Sequence, residues 1–175
     1  MKKEQTIYMV RLPLVILLFI ALWLLPNITH AQTITVSVEI PDIKTSPYHK
    51  PYVAVWIETP KREGVHTLAF WRQQADWFKD LRQWWRKIGR NQSPDYQAVA
   101  GATRKPGVYN LQWDGKLTSG KMLPAGEYLL HVESVREQGS REYLQQAFTY
   151  PSDNKQVFTI EGKQEIGTVT LSIQP

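Results

Sequence analysis

The chain has 175 residues, a formal net charge of +5 and no cysteine. The missing thiols exclude disulfide partners, a cysteine nucleophile and a four-cysteine metal site, so stability has to come from packing. Three of the positive charges fall within the first eleven residues, which leaves weak ground for nucleic-acid binding.

Lys2, Lys3 and Arg11 precede the apolar run "LPLVILLFIALWLL", Leu12 to Leu25, which leads through Pro26 to "THAQ". This is the three-part layout of a secretory signal, with Thr29 and Ala31 at the positions a signal peptidase reads. The run is 14 residues long, short of the roughly 20 a spanning helix needs. A cleaved signal over residues 1–31 is therefore expected in preference to a retained anchor, and a periplasmic or secreted protein beginning near Gln32. Loss of Lys2, Lys3, Arg11 and Glu4 takes the charge from +5 to +3. Residues 32–175 suit one domain with a real core.

From Gln32 the chain reads mostly as strand. "TITVSVEI" alternates, with Ile34, Val36, Val38 and Ile40 on one face; "YVAVWIE" sets Val53, Val55 and Ile57 opposite Ala54 and Trp56. After "HTLAF", the stretch "WRQQADWFKDLRQWWRKI" from Trp71 to Ile88 lacks Gly and Pro. Its Trp71, Trp77, Phe78, Leu81, Trp84, Trp85 and Ile88 fall within about 140° of arc on a helical wheel, and the cations fall elsewhere. An amphipathic helix stopped by Gly89 is expected. Two roles stay open for it. It either covers the sheet with its cations merely solvated, or it presents Trp85, Arg82 and Arg86 to anionic lipid or an acidic protein.

Beyond the helix, Gly101 reads as a bend and Pro106-Gly107 as a second turn, delivering Tyr109, Leu111 and Trp113 to the core. "VYNLQW", "EYLLHVESV", "EYLQQAFTY", "VFTI" and "IGTVTLSI" complete eight strand-like runs. Turns at "WDG", "SGK", "PAG" and "EQGS" place Gly where a positive φ is cheap. The pattern predicts a mainly β protein, an antiparallel β-sandwich with one inserted amphipathic helix.

Catalytic patterns are sparse. His49, His66 and His131 are isolated, without metal-ligand spacing. There is no Gly-x-Ser-x-Gly elbow and no phosphate-binding Gly-x-x-x-x-Gly-Lys loop. Glu133, Arg136 and Glu137 suggest an ion-pair cluster at a strand end, a structural feature in most proteins.

The order Trp113-Asp114-Gly115, Gly120, Pro124, Gly126, Tyr128 resembles a hairpin of the Ig-like domain in flagellar hook-capping proteins, which implies an Ig-like sandwich. Over Val53 to about Tyr150, "AVWIE", "LAFW", "LRQWW", "GATRKPG", "WDG" and "VESVREQG" resemble domain-of-unknown-function family 2271, predicted periplasmic proteins. That resemblance implies a compartment and a fold. It also implies, by gene neighbourhood, partnership with membrane PepSY-type proteins and flavin-linked redox systems.

Gly101-Ala102-Thr103 is similar to the end of Asp-x-x-Ser/Thr-Gly-Ala-Thr, the motif whose last threonine carries covalent flavin mononucleotide (FMN) in exported proteins. Here Gln97 and Ala100 stand in the Asp and Ser/Thr positions, and Asp95 is two residues out of register. The function expected is thus a non-catalytic periplasmic accessory or binding module without cofactor, its partner a membrane or envelope protein. The alternative is a flavin carrier with FMN on Thr103.

Overall fold

In the computed structural model, which describes residues 32–73, 78–91 and 96–175, the alternation of the first strand is kept. β1 (Thr33–Ile40) buries Ile34, Val36, Val38 and Ile40 and leaves Thr33 exposed. The expected signal, residues 1–31, lies outside the described residues, as does Trp77.

Eight more strands follow among the described residues: β2 (Tyr52–Glu58), β3 (Gly64–Arg72), β4 (Ala100–Ala102), β5 (Gly107–Trp113), β6 (Gly126–Val135), β7 (Arg141–Tyr150), β8 (Gln156–Glu161) and β9 (Thr168–Gln174). They form two sheets, ordered β5-β1-β9-β8 and β4-β3-β2-β6-β7. All pairings are antiparallel except that of β3 with β4. The protein is mainly β, a two-sheet sandwich with one short helical segment. Inward rows of β1 and β9 share one apolar cluster with Val53, Val55, Ile57, Leu130 and Val132.

β2 is buried along its whole length, because both faces of its sheet are covered. Val53, Val55 and Ile57 face the sandwich core, while Tyr52, Ala54 and Trp56 join Phe70, Leu81, Trp84, Ile88 and Tyr96 in a second cluster. Each fully buried side chain of this size contributes about 1.5–3 kcal/mol. That second cluster is where the helical segment docks.

The segment is shorter than the helix expected from Trp71. Trp71 and Arg72 belong to β3, where Trp71 pairs with Val53 on one side and Gly101 on the other. Two sheet neighbours satisfy the backbone there, so the helical period has no hold on it. Over residues 78–89 the segment is made of a 3-10 turn (Phe78–Asp80), an α-helical turn α1 (Arg82–Trp84) and a π turn (Trp85–Gly89). A Cβ at Gly89 would lie 2.7 Å from the Trp85 ring and 2.8 Å from that of Trp84, so glycine lets the two indoles pack at the segment's end.

Three local expectations are corrected. Gly101 is no bend: it lies within β4, which runs parallel to β3. Trp113 and Tyr128 are both buried, but β5 and β6 sit in different sheets, so the stretch between them is a crossover and not a hairpin turn. It carries its own bridge, Lys116 to Met122, and Trp113 Nε1 donates to the Lys116 carbonyl at 2.8 Å. In "EQGS" it is Gln138, at φ 55°, that takes the left-handed conformation, and not Gly139.

Candidate functional site

The outer face of the five-stranded sheet carries polar groups under the helical segment. Glu133 on β6 is fully buried. Its Oε2 accepts the amide hydrogens of Gln83 (3.1 Å) and Trp84 (2.9 Å), and its Oε1 accepts from Arg141 Nε at 2.6 Å. One carboxylate thus satisfies amide donors at the start of α1 and links it to β6 and β7. Trp84 completes the docking by stacking on Phe70 at 4.1 Å and donating from Nε1 to Thr67 Oγ1.

Beside it lies a second buried group. Glu58, at the end of β2, accepts from Trp56 Nε1 at 2.8 Å and from Arg62 Nε at 2.6 Å. His131 has its Nε2 3.5 Å from Glu58 Oε2 and its Nδ1 2.6 Å from the Tyr143 hydroxyl. The imidazole stacks between Trp56 and Tyr143, at centroid distances of 5.0 and 5.6 Å. Burial lowers its pKa to about 4 despite the neighbouring Glu58, so at neutral pH the ring is uncharged. Arg62 Nη2 donates to the Tyr143 oxygen at 3.3 Å. The Glu58 carboxylate facing Nε2 favours the tautomer with the ring proton there, in which Nδ1 accepts from the Tyr143 hydroxyl. Burial, with lesser and opposing effects from nearby charges, raises the Tyr143 pKa. A fully buried imidazole beside an unactivated phenol offers no exposed base or nucleophile. The group's evident role is to hold Arg62.

Arg62 sits in the β2–β3 turn at φ 65°, a left-handed conformation that costs a side-chain-bearing residue about 1–2 kcal/mol. The turn faces the π turn, whose Lys87 donates from Nζ to the Arg62 carbonyl at 3.0 Å. Between them opens a pocket of about 380 Å³ lined by Arg62, Gln83, Arg86, Lys87 and Arg90. Its lining contains four cations and no carboxylate.

The residues singled out from the sequence lie in different places. Arg86 lines the pocket, with Nη2 held by Gln83 Oε1 at 3.0 Å. Arg82 is exposed outside the pocket lining, and its carbonyl accepts from Arg86 Nε. Trp85 is half-buried and packs against the second cluster. Thr103 follows β4; its amide donates to the Arg72 carbonyl at 2.9 Å and its hydroxyl donates to the Pro51 carbonyl. Esterification would remove that donor, and Arg104 beside it stacks over Trp71 and Tyr109 at 5.4 and 5.6 Å. The threonine oxygen as placed serves the fold.

The expected Glu133–Arg136–Glu137 cluster does not form. Glu133 pairs with Arg141, Arg136 with Glu165 and Glu137 with His49. His66 stacks on Trp113 at 4.7 Å. Among the described residues no group of three His, Asp or Glu side chains could hold a metal ion.

Arg62 and Arg90 went unnoticed in the sequence, where Lys87 counted only as one more cation of the helix, and the Glu58–His131–Tyr143 group was not seen as a group. The available signal was phase. Glu58 continues the row of Tyr52, Ala54 and Trp56, so an acid stands on a face whose other members are buried.

A family model described as predicted periplasmic protein (DUF2271) matches residues 33–168. No curated protein and no solved structure matches.

Proposed function

This chain belongs to the DUF2271 family of predicted periplasmic proteins, and from that premise we propose that it is a non-catalytic binding module, exported by a cleaved signal, that docks on an anionic partner of the cell envelope. The observation that carries the reading is the division of labour in residues 81–90. Leu81, Trp84 and Ile88 are buried in the second cluster, whereas none of Arg82, Arg86, Lys87 and Arg90 has a carboxylate partner among the described residues. Packing of this kind presents a run of cations on a rigid support, and arginine in such settings is enriched among interface hot spots.

Co-sedimentation with envelope membranes tests the reading. The protein is expected to sediment at low salt and to be released as ionic strength rises, since exposed charge pairs are screened. Arg86→Glu should remain in the supernatant while melting at the wild-type temperature. Equal sedimentation of the two proteins would refute the proposal.

A further inference from the structure

The chemistry of the basic pocket is more specific than that of a charged face. Arg62 is neutralised by Glu58, and its Nε and Nη2 are both engaged. Arg86 has Nε on the Arg82 carbonyl at 3.3 Å and Nη2 on Gln83 at 3.0 Å. In each guanidinium two nitrogens are tied to the protein, and Nη1 makes no hydrogen bond with described residues. Arg90 makes no side-chain hydrogen bond or ion pair among them. The lining therefore combines two pre-set guanidinium groups, a free one and the Lys87 ammonium around one volume.

Three of these cations, Arg86, Lys87 and Arg90, have no carboxylate to compensate them among the described residues. Like charges gathered around one space repel unless an anion enters it. A carboxylate offers two oxygens and one charge; a phosphate group offers three terminal oxygens and up to two charges, and arginine forks suit it. The left-handed Arg62 adds a separate indication. The turn keeps an arginine where glycine would be relaxed, and backbone strain of this kind collects at ligand clamps.

We propose that the pocket lined by Arg62, Gln83, Arg86, Lys87 and Arg90 is a binding site for a phosphate group, carried by a small soluble phosphomonoester or by a lipid headgroup. The proposal rests on the reading that residues 81–90 face an anionic partner, and it assigns that partner's recognised chemistry. Arg62 and Arg86 orient the oxygens, Arg90 closes over them, and Gln83 supplies an amide donor.

The test uses the protein recovered from the envelope fraction, with inorganic phosphate, acetate at matched ionic strength, and vesicles of phosphatidylcholine with or without phosphatidic acid. Phosphate at about ten times its dissociation constant should raise the melting temperature by about 3–5 °C, and acetate should not. Arg90→Ala should weaken phosphate binding about tenfold, as loss of a charge-assisted contact does, with an unchanged melting temperature in the absence of ligand. If phosphatidic-acid vesicles instead bind with that same dependence on Arg90 and free phosphate is weak, the group sits on a lipid. A protein that still sediments with envelope membranes but ignores both phosphate and phosphatidic acid would overturn the phosphate site and leave the docking proposal standing. Arg90-dependent phosphate binding without membrane association would overturn the docking proposal and keep the site. Phosphate binding unaffected by both Arg90→Ala and Arg86→Ala would place the anion elsewhere and sink the inference.

Discussion

Glu133 Oε2 accepts the Trp84 amide at 2.9 Å while the Trp84 ring stacks on Phe70 at 4.1 Å, so one residue of α1 is held to the sheet by both its backbone and its side chain. Glu133→Ala leaves two amides without their acceptor and Arg141 without its partner. It should destabilise the protein by about 2–4 kcal/mol, in the range for breaking a buried charged network. Glu133→Gln keeps an acceptor and should cost less. Urea unfolding measures both, and a Glu133→Ala midpoint equal to wild type would show that α1 docks through Trp84 alone.

Trp113 bridges the crossover and the core. It is buried, stacks on His66 at 4.7 Å and donates to the Lys116 carbonyl. Trp113→Ala is expected to cost on the order of 3–5 kcal/mol, as truncation of a buried aromatic does. An unchanged melting temperature would mean that the neighbouring rings close over the gap without loss.

His131 gives the fold an acid sensitivity whose sign follows from its environment. Its folded pKa is about 4, lowered from the ordinary histidine value of 6.5 by burial and by Arg62 and Lys87, with Glu58 opposing. Below pH 6.5 the unfolded chain takes up a proton that the folded chain refuses until about pH 4. Stability is thus complete above pH 6.5 and falls as pH drops toward 4, by roughly 3 kcal/mol over the interval at about 1.4 kcal/mol per pH unit. Unfolding free energies across this range should show the decline in wild type, and His131→Phe should flatten it. An identical slope in both proteins would assign the titration to another group.

Strands such as β1 were legible because inward apolar and outward polar residues alternate, from Ile34 to Ile40, and β2 was legible from its β-branched and aromatic run. β4 was not: "AGA" has no alternation, and it becomes a strand only because β3 offers it an edge. Trp71 misled for a related reason. Its spacing from the later aromatics suits a helix, yet β2 and β4 claim its backbone. Arg86 could be singled out from its place in a basic helical segment. Arg62 could not, since it lies in a β2–β3 turn far along the chain, and only docking of residues 81–90 on the sheet brings the two cations to one pocket.

Thr103 has a chemical prediction attached. With its hydroxyl donated to the Pro51 carbonyl, the exported protein should have the intact mass of Gln32 to Pro175 and no yellow colour. A mass increase corresponding to an FMN ester, lost in Thr103→Val, would make the flavin-carrier alternative the better account.

If cations of the π turn and the adjoining Arg90 carry association with an anionic partner, the binding of envelope membranes depends on salt. Affinity should fall with rising salt for wild type, and Arg86→Glu combined with Arg90→Glu should abolish binding at low salt, with thermal stability within about 1 kcal/mol of wild type as for other surface changes. Binding of the double variant with wild-type affinity and the same salt dependence would leave the segment as no more than a cover for the sheet.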